Sequence, residues 1–204
     1  EKTVVVTIKG NTDGKTYDGT EHSVSGYQVE SIKIGENDTN LYTENDFEFS
    51  GKAEAKGTNA GTYPMGLKEA QFTNKNGNFT SVVFVVTDGK LEVTPRQVTL
   101  TSESASKPYD GTALTRPDVA GGDGFVAGEV TDIRATGSVT NVSEGEVTNT
   151  ITYTTGEKFN ADNYNITPEE GKLSITASQE KVTVTITGHT NTEKYDGTPK
   201  KAEG

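Results

Sequence analysis

Cysteine and tryptophan are absent from this 204-residue chain, methionine occurs once and histidine twice. Without cysteine there are no disulfides and no thiolate zinc sites. His22 and His189 stand far apart in sequence, so a histidine-based triad or metal cluster has little to draw on. Arginine occupies only three positions, Arg96, Arg116 and Arg134, and the formal charge is -11. Neutralising phosphate takes a cationic stripe, so nucleic acid is not expected as a partner, and the same sign argues against anionic membranes. No apolar run reaches about eighteen residues, the length at which a helix inserts into a bilayer. The motifs of serine hydrolases, zinc proteases and phosphate-cradling loops are missing too. Carboxylate pairs such as Glu169-Glu170 read as solvated faces. Neither catalysis nor a cofactor is expected.

What is present is threonine and glycine. Hydrophobic residues make up 30% of the chain and glycine contributes 23 positions, with a mean hydropathy of -0.64. That composition suits thin-cored β units whose outer faces are wet, because β-branched threonine fits a pleated surface. It does not suit a large enzyme body.

The chain repeats itself, and repeats organise everything else. The word Y-D-G-T stands at Tyr17-Asp18-Gly19, at Tyr109-Asp110-Gly111 and at Tyr195-Asp196-Gly197, each followed by threonine. TVVVTIKG at residues 3–10 aligns without gaps with the stretch ending at Gly188. In the middle copy the corresponding text is VTLTSES, at 98–104, two residues nearer its tyrosine. GKLEVTP at 89–95 matches GKLSITA at 171–177, and TNAGTY at 58–63 corresponds loosely to TNVSEGEV at 140–147. These landmarks divide the chain into unit one (1–96), unit two (97–178) and the start of a third copy (179–204). Opening on Glu1 and stopping inside a copy, it is expected to be a slice of a longer array.

Within the units, apolar residues alternate with polar ones: Val4, Val6 and Ile8, then Val98 and Leu100, then Val182, Val184 and Ile186. A two-residue period predicts strands with one buried face. VVFVV at 82–86 is continuous and reads as a buried central strand. MGLKEAQF at 65–72 is the one stretch that suggests a turn or two of helix. Glycine- and asparagine-rich turns separate the runs. The expected fold is all-β, with tandem immunoglobulin-like sandwiches. A β-grasp unit is the alternative, disfavoured because it needs a helix across its sheet. The first joint, around Pro95, has no Gly/Ser tether and is expected to be short and semi-rigid, making a rod. The apolar face at 181–187 needs a sheet to sit on, so a strand paired outside unit two is expected there, most simply between molecules.

Asp-Gly favours a turn, since glycine accepts positive φ and aspartate caps nearby amides. The recurring word therefore reads as a structural corner with Tyr17 and Tyr109 buried on the core edge. The competing reading is a carbohydrate or mucin surface, with exposed aromatics such as Tyr27, Tyr42 or Tyr153 stacking on sugar rings. Residues 74–78 and 160–163 have the rhythm of a calcium loop without its charge. An internal Lys–Asn cross-link would require a buried lysine, for which Lys9 and Lys90 are the strand-borne candidates.

In unit two KPYDGTAL, GFVAGE (124–129), TNVSEGEV, DNYNIT and GKLSIT follow in order. This resembles the YDG-type repeats, related to MBG domains, of tandem-repeat bacterial, often Gram-positive, surface proteins. Unit one resembles a sister type, with no clear counterpart of GFVAGE. The resemblance implies export, display on the cell surface or wall, and service as stalk or adhesin modules whose partners are neighbouring repeats and an unidentified host glycan or protein. It implies no catalytic residues.

Overall fold

A computed structural model describes residues 2–202. It is all-β, built from several small sheets with four single 3-10 turns and no α-helix among the described residues.

Unit one is organised by two bent strands lying side by side. The opening strand, Val4–Gly10, continues as Thr12–Thr16; the closing strand, Val82–Thr87, continues as Lys90–Thr94. They pair in parallel with one constant offset of 78, from Val4 opposite Val82 to Thr16 opposite Thr94. On the opening side Tyr27–Ile34 adds antiparallel to Val4–Gly10, and on the closing side Gly61–Pro64 adds antiparallel to Lys90–Thr94. Alternation puts Val4, Val6 and Ile8 fully inside, with Leu91 and Val93 beside them. Phe47, Ala55 and Phe72, from two short antiparallel ladders, join the same core.

Unit two repeats this arrangement ten residues shorter. Arg96–Ser102 and Ala105–Pro108 run parallel to Tyr164–Glu169 and Lys172–Thr176 with a constant offset of 68. Where each pair bends, glycine is required. A Cβ on Gly89 would lie 2.4 Å from the carbonyl oxygen of Asn11, and one on Gly171 would lie 2.3 Å from the carbonyl of Glu103. These glycines open the GKL words, and their opposite residues, Asn11 and Glu103, each precede a YDGT tyrosine by the same interval. Val98 therefore occupies the place of Val6, not of Val4, and the middle copy is not shortened before its tyrosine.

The structure bears on three further expectations. Val82–Thr87 is an edge strand, not a central one: among the described residues its only ladder is to Val4–Gly10, whose other side is taken by Tyr27–Ile34. Phe84 points inward while Val83 and Val85 are exposed. The helical hint at 65–72 gives only the 3-10 turn Glu69–Gln71, closed by the Lys68 N–H donating to Gln71 Oε1 at 2.7 Å. Residues 181–187 form no strand within the single chain; Val182, Val184 and Ile186 are exposed and lie outside the sheets of unit two, as the expected boundary at 178 requires. A strand needs a neighbour to bond, and among the described residues none pairs with this stretch.

Candidate functional site: the joint between the units

Each copy of Y-D-G-T folds into the same local turn. The Thr20 N–H and hydroxyl both donate to Asp18 Oδ1, at 2.9 and 2.6 Å. Thr112 does the same to Asp110 at 2.9 and 2.8 Å, and Thr198 to Asp196 at 3.0 and 2.6 Å. The intervening glycines sit at φ 81°, 82° and 78°, a region that favours glycine. Hydrogen bonds hold all three carboxyls below the usual range: those from Thr20 at Asp18, and first those from Lys107 at Asp110 and from Lys200 at Asp196, with the threonine bonds after them, both of these being lowered to about 2. This turn forms in the third copy without any sheet beside it, so its cause is local.

The tyrosines differ. The Tyr17 N–H donates to the Thr94 carbonyl at 2.9 Å, and the Tyr109 N–H to the Thr176 carbonyl at 2.8 Å, so each sits at the end of its own closing strand. Yet Tyr17 is 3% exposed, Tyr109 44% and Tyr195 94%. The expectation that Tyr17 and Tyr109 are alike buried is corrected, and the reason is what covers Tyr17. Its hydroxyl donates to Glu129 Oε1 of unit two at 2.5 Å, and the Tyr164 hydroxyl donates to Glu129 Oε2 at 2.8 Å. The same Tyr164 oxygen accepts the Val126 N–H at 3.0 Å. The two rings meet edge to face with centroids 5.5 Å apart. Glu129 is a buried carboxylate, and charge-assisted bonds to both hydroxyls satisfy it. Burial first, then the Glu129 hydrogen bond and charge, pushes the Tyr17 phenol up to about 12. Burial likewise raises that of Tyr164.

Two more contacts close the joint. Buried Asn163 accepts the Ala60 N–H at 2.7 Å and donates to Asn59 Oδ1 at 3.0 Å. A Cβ on Gly19 would stand 2.9 Å from a Val126 methyl. The apolar core of unit one runs through the joint without a break to include Val98, Leu100 and Tyr164 of unit two. The landmark words thus meet across the boundary: YDGT and TNAGTY from unit one, GFVAGE and DNYNIT from unit two. Sequence reasoning singled out the first tyrosine but missed Glu129, Asn163 and Tyr164 as its partners. The lone glutamate closing the apolar GFVAGE word was the available signal.

The other candidates belong to the fold. Tyr42 is buried, the single proton of its hydroxyl shared between the Asp46 carbonyl at 3.1 Å and Asn74 Oδ1 at 3.0 Å. Tyr27 packs on Phe49 and Phe72, and Tyr153 on Phe125. None of the three is the exposed platform that sugar stacking requires. Asn74 turns its amide to the Phe79 carbonyl at 2.7 Å, and Asn160 caps Asp162, so both asparagine loops are closed by their own bonds. Lys9 and Lys90 reach exposed Glu30 and Glu92 at 3.6 and 3.0 Å, on the solvent side of their strands. The three YDGT words do not gather into one site.

The fold and the joint together define a class: tandem all-β repeats, tied by a buried tyrosine–carboxylate contact. Residues 4–95 match the sequence model of the MBG domain family. MBG domains are non-catalytic repeat modules found in bacterial surface proteins. Searches of curated proteins and of solved structures gave no match. No helix among the described residues is long and apolar enough to cross a membrane.

Proposed function

We propose that this chain is a non-catalytic spacer segment of a bacterial surface protein, a stalk or adhesin building block in which each unit is clamped to the next. The observation that carries this reading is the Tyr17–Glu129–Tyr164 contact, buried within an apolar core that runs from unit one into the near part of unit two, while Leu114, Val139, Leu173 and Ile175 pack as a separate cluster at unit two's far end. A joint that dry and that fully hydrogen-bonded resists bending, where a flexible tether would not. The boundaries proposed are those of the sequence landmarks, unit one at 1–96, unit two at 97–178 and the start of a third copy at 179–204, all displayed outside the cell; Arg96 already lies in the opening strand of unit two.

For the units themselves the reading remains an immunoglobulin-like sandwich, with a β-grasp-like unit as the alternative; the parallel pairing of the opening and closing strands, with Tyr27–Ile34 added antiparallel to the one and Gly61–Pro64 to the other, favours the alternative's strand order.

The test is backbone NMR relaxation of the full chain. Units one and two are expected to tumble as one elongated body, and Tyr17→Ala to give them separate correlation times. Independent tumbling in the unaltered chain would refute the spacer reading.

A further inference from the structure

The two ends of the established joint allow a comparison inside one molecule. At the trailing end of unit one, Tyr17 and Gly19 are covered by unit two. At the trailing end of unit two, the same positions are bare: Tyr109 is 44% exposed, and a Cβ on Gly111 would meet nothing within 4 Å. TNVSEGEV matches TNAGTY, so Asn141 and Val142 stand where Asn59 and Ala60 grip Asn163. Val142 is 46% exposed, an apolar side chain facing water at a place where unit one is half-buried. The backbone frame is already set, because the Tyr109 and Tyr17 N–H groups bond equivalent strand ends, Thr176 and Thr94.

We propose that Tyr109, Gly111, Asn141 and Val142 form a docking surface for a following repeat of the unit-two type. The occupant is specified by chemistry. It must offer a desolvated carboxylate to the Tyr109 hydroxyl, an aromatic ring edge-on to it, and an amide side chain for the backbone beside Asn141, as Glu129, Tyr164 and Asn163 do for unit one. Unit one does not qualify, since it has no counterpart of GFVAGE, and Val82 stands where unit two has Tyr164. A second copy of this chain does not qualify either, because its Glu129 is already held by its own Tyr17. The occupant is therefore a further unit in the same chain, entered through residues 177–181. That connection is longer than the single Pro95 between Thr94 and Arg96. Loop-closure entropy grows only slowly with length, so the added residues loosen the approach without preventing contact.

This inference rests on the spacer reading, and the experiment separates the two. The chain is extended by placing a second copy of residues 96–178 directly after Lys181, and relaxation is measured for all three units. The expected result is one correlation time throughout, with the added copy alone released by Tyr109→Ala, or by Glu129→Gln together with Tyr164→Phe in that copy. Tyr109→Ala in the unextended chain is expected to shift its melting temperature by no more than a few degrees. An added copy that is unfolded, or that tumbles freely while units one and two still move together, would overturn the docking surface and leave the first joint standing. If units one and two also part, both readings fall. Glycan binding by the extended chain that is lost with Tyr109→Ala, without coupling of the added copy, would overturn it in favour of a sugar surface.

Discussion

Tyr17 and Tyr109 share a sequence word, a backbone conformation and a strand-end hydrogen bond, and they differ only in what lies above them. Their mutational costs should differ accordingly. Tyr17→Ala removes a buried ring and strands the Glu129 carboxylate, a loss of about 3–5 kcal/mol by the usual measure of buried aromatics. Tyr109→Ala, half in water, should stay within about 1 kcal/mol. Thermal or denaturant melts of the two variants check this, and equal losses would show that the difference in burial carries no energy. The phenol adds a pH dependence whose sign is fixed. Tyr17 holds its proton more tightly folded than unfolded, with a pKa raised from 10.0 to about 12. Its contribution is thus fully present below about pH 10 and is lost as pH rises towards 12. Tyr17→Phe should flatten that alkaline loss, and also lower stability at neutral pH by roughly 1.5–3 kcal/mol, the range for a hydrogen bond to a charged group. Alkaline unfolding curves that are superimposable for the two proteins would argue against the Glu129 contact.

At the level of elements, the bent parallel pair explains why the GKL words recur. Gly89 and Gly171 sit where the opening strand crosses closest to the closing strand, and the obstacle is backbone that cannot swing aside. Gly171→Ala is expected to cost at least about 1–3 kcal/mol, the range for forced overpacking, whereas Gly14→Ala, with open space around it, should fall within about 1 kcal/mol. A neutral Gly171→Ala would mean the two strands separate more easily than their register implies. The edge strand Val82–Thr87 shows the limit of reading periodicity. A continuous apolar run is compatible with burial on both faces, but whether the outer face is covered depends on whether another layer packs on it. Here Phe84 faces the core and Val83 and Val85, on the opposite face, remain outside.

For the whole molecule, a core that passes through the joint couples the units thermodynamically as well as mechanically. Scanning calorimetry of the full chain should show one cooperative transition for residues 4–176. Glu129→Ala should split it into two, because each unit then unfolds without exposing a shared interior. Two transitions in the unaltered protein would show that the interface contributes little. The segment at 182–188 belongs to this scale too. Its alternating valines match the opening strand residue for residue, and a third unit's closing strand would give them the parallel partner they lack.

Sequence alone determined what depends on near neighbours. Alternation specified the strands, the order of landmark words specified the repeats, and Asp, Gly and Thr within three residues specified a turn that forms even on an exposed tail. Which tyrosine becomes a clamp was decided only in three dimensions. Tyr17 lies 112 positions from Glu129, and no local pattern links a corner in one unit to a lone acid in the next. Burial is a property of the surface that arrives, and for Tyr17 that surface is the head of unit two.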